Sequence, residues 1–524
     1  MANQQDPPAP SEPLNGNLVE PAATNSAANP KQPSRIWWLF AAGAGIVGIA
    51  AVALAVSRYG VGVTQDSAHY IAVARNLAAG KGYVSFDGYR LVSWPPLYPT
   101  LLAGLSLAGI RVQLGCWLLN ALAFGLIVML SARLFLRIFS SRALAVVGTA
   151  CILFSPSLLK CSAMAWTEIV FALLVLLQAA ALVDYLDSGS PASFAAACVA
   201  AALACLQRYI GLALVPAGII LILLLSRGKP GRRLARAAAY AGAALLPIGA
   251  WLFRNWVLVG HPAGYHSPAF RPAIAHLETI LRSTARWFLP GVETGWVSLG
   301  LAALVLAATA VALILPSRLQ PKGRATQGRV FSAMALSYFI GLAAVSSLVE
   351  LDLSFRLLVP AFVLALPALA ANVNMAVVAL GSRLRWPRLV TGIAAVAFCL
   401  VLIWPGLDSV RTIRAFATDG VEIGLGPIHH PCWKKLPVTG WLLEHRPEGR
   451  VYSNEPAAVY LFADTPARMS PRKGAGSPVP KPGDLLVWFP NVDRPELASP
   501  EELGKRLPLE EIISSYDGTV AVFR

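Results

Sequence analysis

Apolar runs of about 20 residues recur along this chain from Ile36 to Trp404. A helix of that length spans the roughly 30 Å hydrocarbon core of a bilayer. The runs are continuous, whereas the strands of a membrane β-barrel alternate apolar and polar residues, so a closed barrel is excluded. Composition agrees, with 56% of residues hydrophobic and 13% charged, against about a quarter charged in an ordinary soluble protein. The fold expected is an all-α polytopic membrane protein. Residues 1–34, rich in Pro, Asn, Ala and Gln, read as a disordered cytoplasmic tail. The first apolar run starts too deep and is too long for a cleaved signal peptide, and reads as a retained signal-anchor helix. Cys116, Cys151, Cys198, Cys205 and Cys399 lie in apolar runs and read as small buried thiols, with no CxxC or Cys/His spacing for a metal.

The net charge of +16 sits largely in short loops between the runs, a pattern that sets membrane orientation and does not imply nucleic acid. Four loops are basic: Arg133, Arg137 and Arg142; Arg227, Lys229, Arg232, Arg233 and Arg236; Arg318, Lys322, Arg324 and Arg329; Arg383, Arg385 and Arg388. The positive-inside rule places all four in the cytoplasm. Eleven spans satisfy them together, near 36–56, 112–134, 143–159, 166–186, 192–206, 209–226, 236–253, 296–315, 330–348, 357–379 and 388–404. The N-terminus is then inside, and the transmembrane domain covers 35–405. The stretch "PPLYPTLLAGLSLAG" must stay out of the count, because including it reverses every later basic loop. Its early prolines and short length suit a helix lying in the interface.

Two large external loops result. Residues 57–111 hold two juxtamembrane helices and, in "GYVSFDGYRLVSW", a hairpin turning at Asp87-Gly88. Residues 254–295 carry Arg271, Arg282, Arg286, His261, His266 and His276; this excess of positive charge is either an anion-handling surface or the latitude the rule grants to long loops. Residues 406–524 turn polar and read as a small external α/β domain. "RVYSNEPAAVYLFAD", "DLLVWFP" and "EEIISSYDGTVAVFR" look like strands, with a helical stretch at 434–446, a loop at "GAGSPVPKPGD" and a final turn at Asp517-Gly518.

The ionisable residues near span ends then fall on one face. Asp66 lies in the first loop, Glu168 opens the fourth span, Arg208 sits between the fifth and sixth, Arg254 leaves the seventh, and Glu350, Asp352 and Arg356 join the ninth to the tenth. Each has a bland alternative: an arginine at a span end reaches for head groups, and an acid at a helix start answers the helix dipole. Together they suit a lipid-borne phosphate whose sugar passes to an external acceptor. Thr64 is a candidate N-cap that puts Asp66 in the first turn of a helix running to about Ala79. An ionised carboxylate there can take a proton from an attacking hydroxyl or amine. Arginines can hold the phosphate and its growing charge.

The stretch "QDSAHYIAVARNLAAGKGY…SWPPLYPTLLAG" resembles the first external loop of GT-C membrane glycosyltransferases, in the lineage of protein O-mannosyltransferases and the lipid A aminoarabinose transferase. "WTEIVFALLVLL", "QRYIGLALVPA", "FRNWVLVGHP" and "FRLLVPAFVLALP" follow in the order of that lineage, so the resemblance covers about residues 36–405. It implies an inverting transferase that uses a polyprenyl-phosphate-linked sugar at the outer side of the cytoplasmic membrane and passes it to a lipid, glycan or protein acceptor. Asp66 matches the catalytic Asp and Arg356 the late arginine of the donor phosphate; Arg254 and Arg208 are further phosphate-binding candidates, with Tyr70, His69 and Glu168 in support. Ser67 follows Asp66 where many members have Glu, and no D-x-D motif is present in this loop, so a divalent metal finds no support. A transporter or lipid flippase, a ligase using a diphosphate-linked donor, and a non-catalytic glycan-assembly subunit remain as alternatives. A transporter favours repeats and polar groups at mid-membrane.

Overall fold

The computed structural model describes residues 35–264, 272, 274–291, 295–314, 325–349, 353–420, 430–474 and 479–524. The tail 1–34, the loop residues His266, Arg271, Arg318, Lys322 and Arg324, and the acids Glu350 and Asp352 lie outside the described residues, as does part of "GAGSPVPKPGD".

Each of the eleven expected segments is helical. Among the described residues seven helices are long and apolar enough to cross a membrane: Arg35–Ala55, Val112–Ile138, Glu168–Ser188, Pro230–Val259, Thr326–Leu348, Phe355–Arg383 and Pro387–Asp419. Arg142–Leu153 and Pro156–Ser162, bent by 46°, are long and apolar enough when taken together. The break has a local cause. Ser155 caps the second piece through the Leu158 N–H at 3.4 Å, and Pro156, which has no N–H to give, stands at its first position. The other three segments are shorter apolar helices, Pro191–Gln207, Tyr209–Leu225 (whose first turn is 3₁₀) and Leu299–Val311 within Trp296–Ile314.

Contacts place the helix ends. At one end Arg137 pairs with Asp184 at 2.9 Å, Arg227 donates to the Asp187 carbonyl, and Arg133 and Arg142 lie over Trp38 and Trp37. The first two basic loops and the start of the first helix therefore share that end. At the other end Asp66, Glu168, Arg208 and Arg356 meet. Pro191–Gln207 runs from the first end to the second, and Tyr209–Leu225 runs back, although each has only about 17 residues or ~26 Å of helical rise.

The first two spans cross where both are glycine. A Cβ on Gly125 would stand 2.8 Å from the Gly45 carbonyl oxygen and 2.5 Å from an Ile49 carbon. Small residues of this kind let membrane helices approach closely where no hydrophobic force drives them together. The last helix is open to the surroundings along most of its length, with Ile393, Val396 and Leu400 exposed. Cys399 shares that helix and is exposed, contrary to the expected burial, because its helix packs only its edge on the bundle.

Leu97–Leu107 has 11 residues, about 17 Å of rise, too short to span. It packs beside Gln65–Ala78 as the second juxtamembrane helix, with Tyr98 against Tyr70 at 5.5 Å between ring centroids. The hairpin is present, with Val84 bridged to Arg90 and Gly88 at φ +82°, a left-handed backbone that glycine adopts without strain.

The span expected to end at Trp404 continues as helix through Pro405 to Asp419, where Gly420 at φ +87° ends it. Beyond it lies a five-stranded sheet, β1 (Val451–Ser453), β2 (Ala467–Met469), β3 (Leu485–Trp488), β4 (Leu509–Ser515) and β5 (Gly518–Phe523). Its order is β2-β1-β3-β5-β4, with β1 parallel to β2 and β3 and the last pairs antiparallel. Two expectations change. "PAAVYLFA" is the helix Pro456–Ala463, not strand: Pro456 starts it, and an apolar run of eight buried nearly all round carries no periodicity to tell helix from strand. The final turn centres on Tyr516-Asp517, because Ser515 pairs with Gly518.

Candidate active site

The site starts from how residues 62–68 are fastened. Thr64 is the N-cap of Gln65–Ala78, and the Ser67 hydroxyl oxygen accepts the Thr64 N–H at 3.0 Å. Ser67 also donates to the Ala165 carbonyl at 3.0 Å, and the Trp166 indole N–H donates to Thr64 Oγ1 at 3.0 Å. The Gly62 N–H donates to the Ala163 carbonyl at 2.9 Å and the Gly62 carbonyl accepts the Ala165 N–H at 2.8 Å, a short parallel bridge opposite Met164. The helix start carrying Asp66 is thereby fixed to the segment that leads into Glu168. Ser67, the departure from the resemblance, serves as this fastener.

Two arginines close the arrangement. Arg356, in the first turn of Phe355–Arg383, gives one N–H to Asp66 Oδ2 at 2.6 Å and its Nε–H to Glu168 Oε1 at 2.6 Å. Arg208, at the C-terminal end of Pro191–Gln207, reaches the same Glu168 oxygen at 2.9 Å and Thr167 Oγ1 at 2.6 Å. Trp166 lies under Arg356, with the guanidinium carbon 4.5 Å from the ring centroid. Glu168 is fully buried, whereas the side chains of Asp66 and Arg356 are 27% and 21% exposed. Glu168 is the pillar on which both guanidiniums rest; a charge so buried persists only when paired in this way. Asp66 Oδ1 accepts no hydrogen bond among the described residues, and the side chain is partly exposed.

The four charges cancel: two carboxylates against two guanidiniums. Lys160, on the bent helix Pro156–Ser162, adds a positive charge that no carboxylate pairs with among the described residues. Its Nζ stands 5.3 Å from the Phe355 ring centroid, beside Arg356, and the Cys161 thiol next to it lies within the fields of Glu168, Arg356, Lys160 and Arg208. Sequence reasoning missed Lys160. The signal was a charged residue inside the apolar stretch "FSPSLLKCSAMAW".

The other expected residues are placed differently. Arg254 does not join the network. It donates to the Leu91 carbonyl at 2.9 Å and to Asn255 Oδ1 at 2.7 Å, over the Trp251 ring at 4.3 Å, and so clamps the loop 57–111. His69 bonds Ser85 Oγ at 2.6 Å between Phe86 and Trp94. Burial pulls its pKa down, against the opposing pull of Asp87 and Asp66. Tyr70 is buried edge-on to Trp94 and Tyr98, and burial pushes its phenol up. His69 and Tyr70 thus shape the helix that carries Asp66 and do not bond its Oδ1. Of the basic second loop, His276 is buried and Arg282 pairs with Glu278.

The C-terminal domain reaches the same helix. Gln65, next to Asp66, contacts both oxygens of Glu455 at 3.4 Å, and Arg494 holds that buried carboxylate at 3.0 Å. Arg75 pairs with Asp464 at 2.8 Å and also donates to Tyr460 Oη at 3.1 Å.

No family model matches the sequence, and no curated protein matches it. Solved structures are similar in fold. The arabinofuranosyltransferase AftD from Mycobacteria aligns with a TM-score of 0.53 at 17% identity, over 94% of this chain and 40% of its own. ArnT from Cupriavidus metallidurans aligns at 0.46 and 15% identity, over 92% and 97%. The oligosaccharyltransferase AglB from Archaeoglobus fulgidus aligns at 0.46 and 14%, over 82% and 64%. The likeness to AftD is one of fold: this chain is a polytopic helical bundle with a small C-terminal sheet domain.

Proposed function

We propose that this chain moves a sugar from a polyprenyl-phosphate-linked donor to an external lipid, glycan or protein acceptor at the outer face of the cytoplasmic membrane, with inversion. The observation that carries the reading is the single network at one end of the bundle. It joins Asp66 to Arg356 and, through Glu168, to Arg208, with the unpaired Lys160 nearby against the Phe355 ring. A transporter's polar groups belong near mid-membrane, whereas these share the end that bears the interfacial helices. AftD, an arabinofuranosyltransferase, lends the class of fold.

The chemistry follows from the geometry. Arg356 holds Oδ2 of Asp66, which turns Oδ1 toward the acceptor. Oδ1 takes the proton from the acceptor hydroxyl or amine as that atom attacks the anomeric carbon from the face opposite the phosphate. The bond from the anomeric carbon to the phosphate oxygen breaks, and its electron pair leaves on the polyprenyl phosphate. Lys160 and Arg356 sit where that growing negative charge can be met, in a site partly shielded from water. Glu168 takes no part in proton transfer; it fixes Arg356 and Arg208 in place.

Lipid extracts from a strain lacking the protein test the reading. A polyprenyl-phosphate sugar should accumulate and one envelope glycan should lose a residue. An unchanged pool of such lipids would overturn it.

A further inference from the structure

A second cavity, of about 560 Å³, opens between the hairpin of the loop 57–111 and the N-terminal edge of β1 and β2. Its hairpin wall is Phe86, Asp87 and Gly88; across it stand Arg446, Arg450 and Arg468. None of the three arginines is ion-paired among the described residues. That sets them apart from Arg494, Arg524 and Arg75 on or against the same domain, which pair with Glu455, Glu510 and Asp464. The two carboxylates on the rim do not neutralise them. Asp464 is engaged by Arg75, which leaves Asp87, held by the Tyr89 N–H at 3.0 Å, as one negative charge against three positive ones. Arg468 is steadied over the Tyr89 ring at 5.7 Å and lies against Gly88. Leu443, Pro447 and Pro466 give the cavity an apolar wall.

We propose that this groove binds an acidic saccharide, with its phosphate or carboxylate on the three arginines and a sugar face on the apolar wall, as the recognition element of the acceptor. Unpaired guanidiniums converging on a cavity of ligand size fit a bidentate oxyanion. The apolar wall fits the C–H face of a sugar ring. The groove adjoins the loop that carries Asp66: Phe86 stacks on Tyr460 at 5.1 Å and lies tilted against His69 at 4.9 Å, three residues along the helix from Asp66. The role as acceptor site rests on the transferase reading, whereas binding itself does not.

The test is calorimetry on the full chain in detergent, without donor, using trigalacturonate, a phosphorylated maltotriose, neutral maltotriose and an acidic tripeptide. One acidic saccharide should bind and weaken as salt rises, and neutral maltotriose should not; which of the two binds names the anion. Arg446→Gln, Arg450→Gln and Arg468→Gln should each weaken binding roughly tenfold, as expected for one charged hydrogen bond. Asp66→Asn should bind like the parent, so loss of transfer there and loss of binding here fail separately. Equal binding of neutral and acidic trisaccharide, unchanged affinity in the arginine variants, or tighter binding of the peptide would overturn the proposal.

Discussion

Asp66 is held through one oxygen, with no partner on the other among the described residues, and this asymmetry makes its role testable. Asp66→Asn preserves the size and the hydrogen bond from Arg356 but cannot take a proton. Turnover should fall by about 10²–10⁴-fold with donor binding largely kept. Asp66→Glu should retain little, since one added methylene moves the carboxylate by about 1 Å, which can cost about 10²-fold. Asp184→Asn, at the far end of Glu168–Ser188, is the control expected to transfer normally. Substantial transfer by purified Asp66→Asn protein would reduce Asp66 to a helix-start residue. Lys160 gives a different signature. It carries the net positive charge of the site, so Lys160→Gln should raise the KM for the donor more than it lowers kcat, and an unchanged KM would remove it from the donor site. Arg356→Lys should rescue only part of the activity, because an ammonium cannot hold Asp66 and Glu168 together through a planar fork. Asp66, Glu168, Arg208 and Arg356 were legible in the sequence because acids and arginines at the ends of apolar runs are costly unless used. Arg254 carried the same signal and does another job. Proximity to a span end says which side a residue is on, but not which neighbour it finds.

At the scale of elements, apolar length and basic loops made the helices legible, and proline with short length marked Leu97–Leu107 as interfacial. The sheet was less legible, because its three-residue strands β1 and β2 are set by pairing, β2 with β1 and β1 with β3, and not by local pattern. Packing between helices was not legible at all; Gly45 and Gly125 meet only in three dimensions. Gly125→Ala should destabilise the protein in detergent by about 1–3 kcal/mol, as overpacking does. Gly43→Ala, on the first helix with nothing within 4 Å, should be neutral or stabilising. Equal melting temperatures for the two variants would remove the close crossing. The helix Gln65–Ala78 also carries a pH dependence. His69 is held neutral in the fold by burial, so its folded pKa lies below the unfolded value of about 6.5. The unfolded chain then binds the extra proton, and stability falls as pH drops below about 6.5. Thermal unfolding at pH 7 and pH 5.5 should show the loss, and His69→Phe should flatten it.

For the whole molecule, the contacts fix a parity that length alone does not. Counting helices by length and composition gives seven crossings, or eight with the bent pair. One helix, Arg35–Ala55, separates the N-terminus from the loop that carries Asp66. The C-terminal domain touches that loop through Gln65–Glu455 and Arg75–Asp464, so it lies on the same side. The total must therefore be odd, and eight is excluded. Seven fails as well. Glu168–Ser188 starts in the Asp66 network and ends beside Arg137, so the bent pair before it must cross. Arg208 then returns the chain to the network and Arg227 takes it back to Asp187, which makes crossings of the two short helices that follow. Further along, the Asp187 carboxyl bonds Thr326 while the Trp404 indole bonds the Pro290 carbonyl, so the helices between run end to end too. Eleven crossings satisfy every contact among the described residues, and the positive-inside rule then expects the basic loops in the cytoplasm. Reporter fusions after Arg233 and after Arg450 should therefore lie on opposite sides, the first cytoplasmic and the second external. Both on one side would break the parity, and with it the placement of the C-terminal domain over the Asp66 loop.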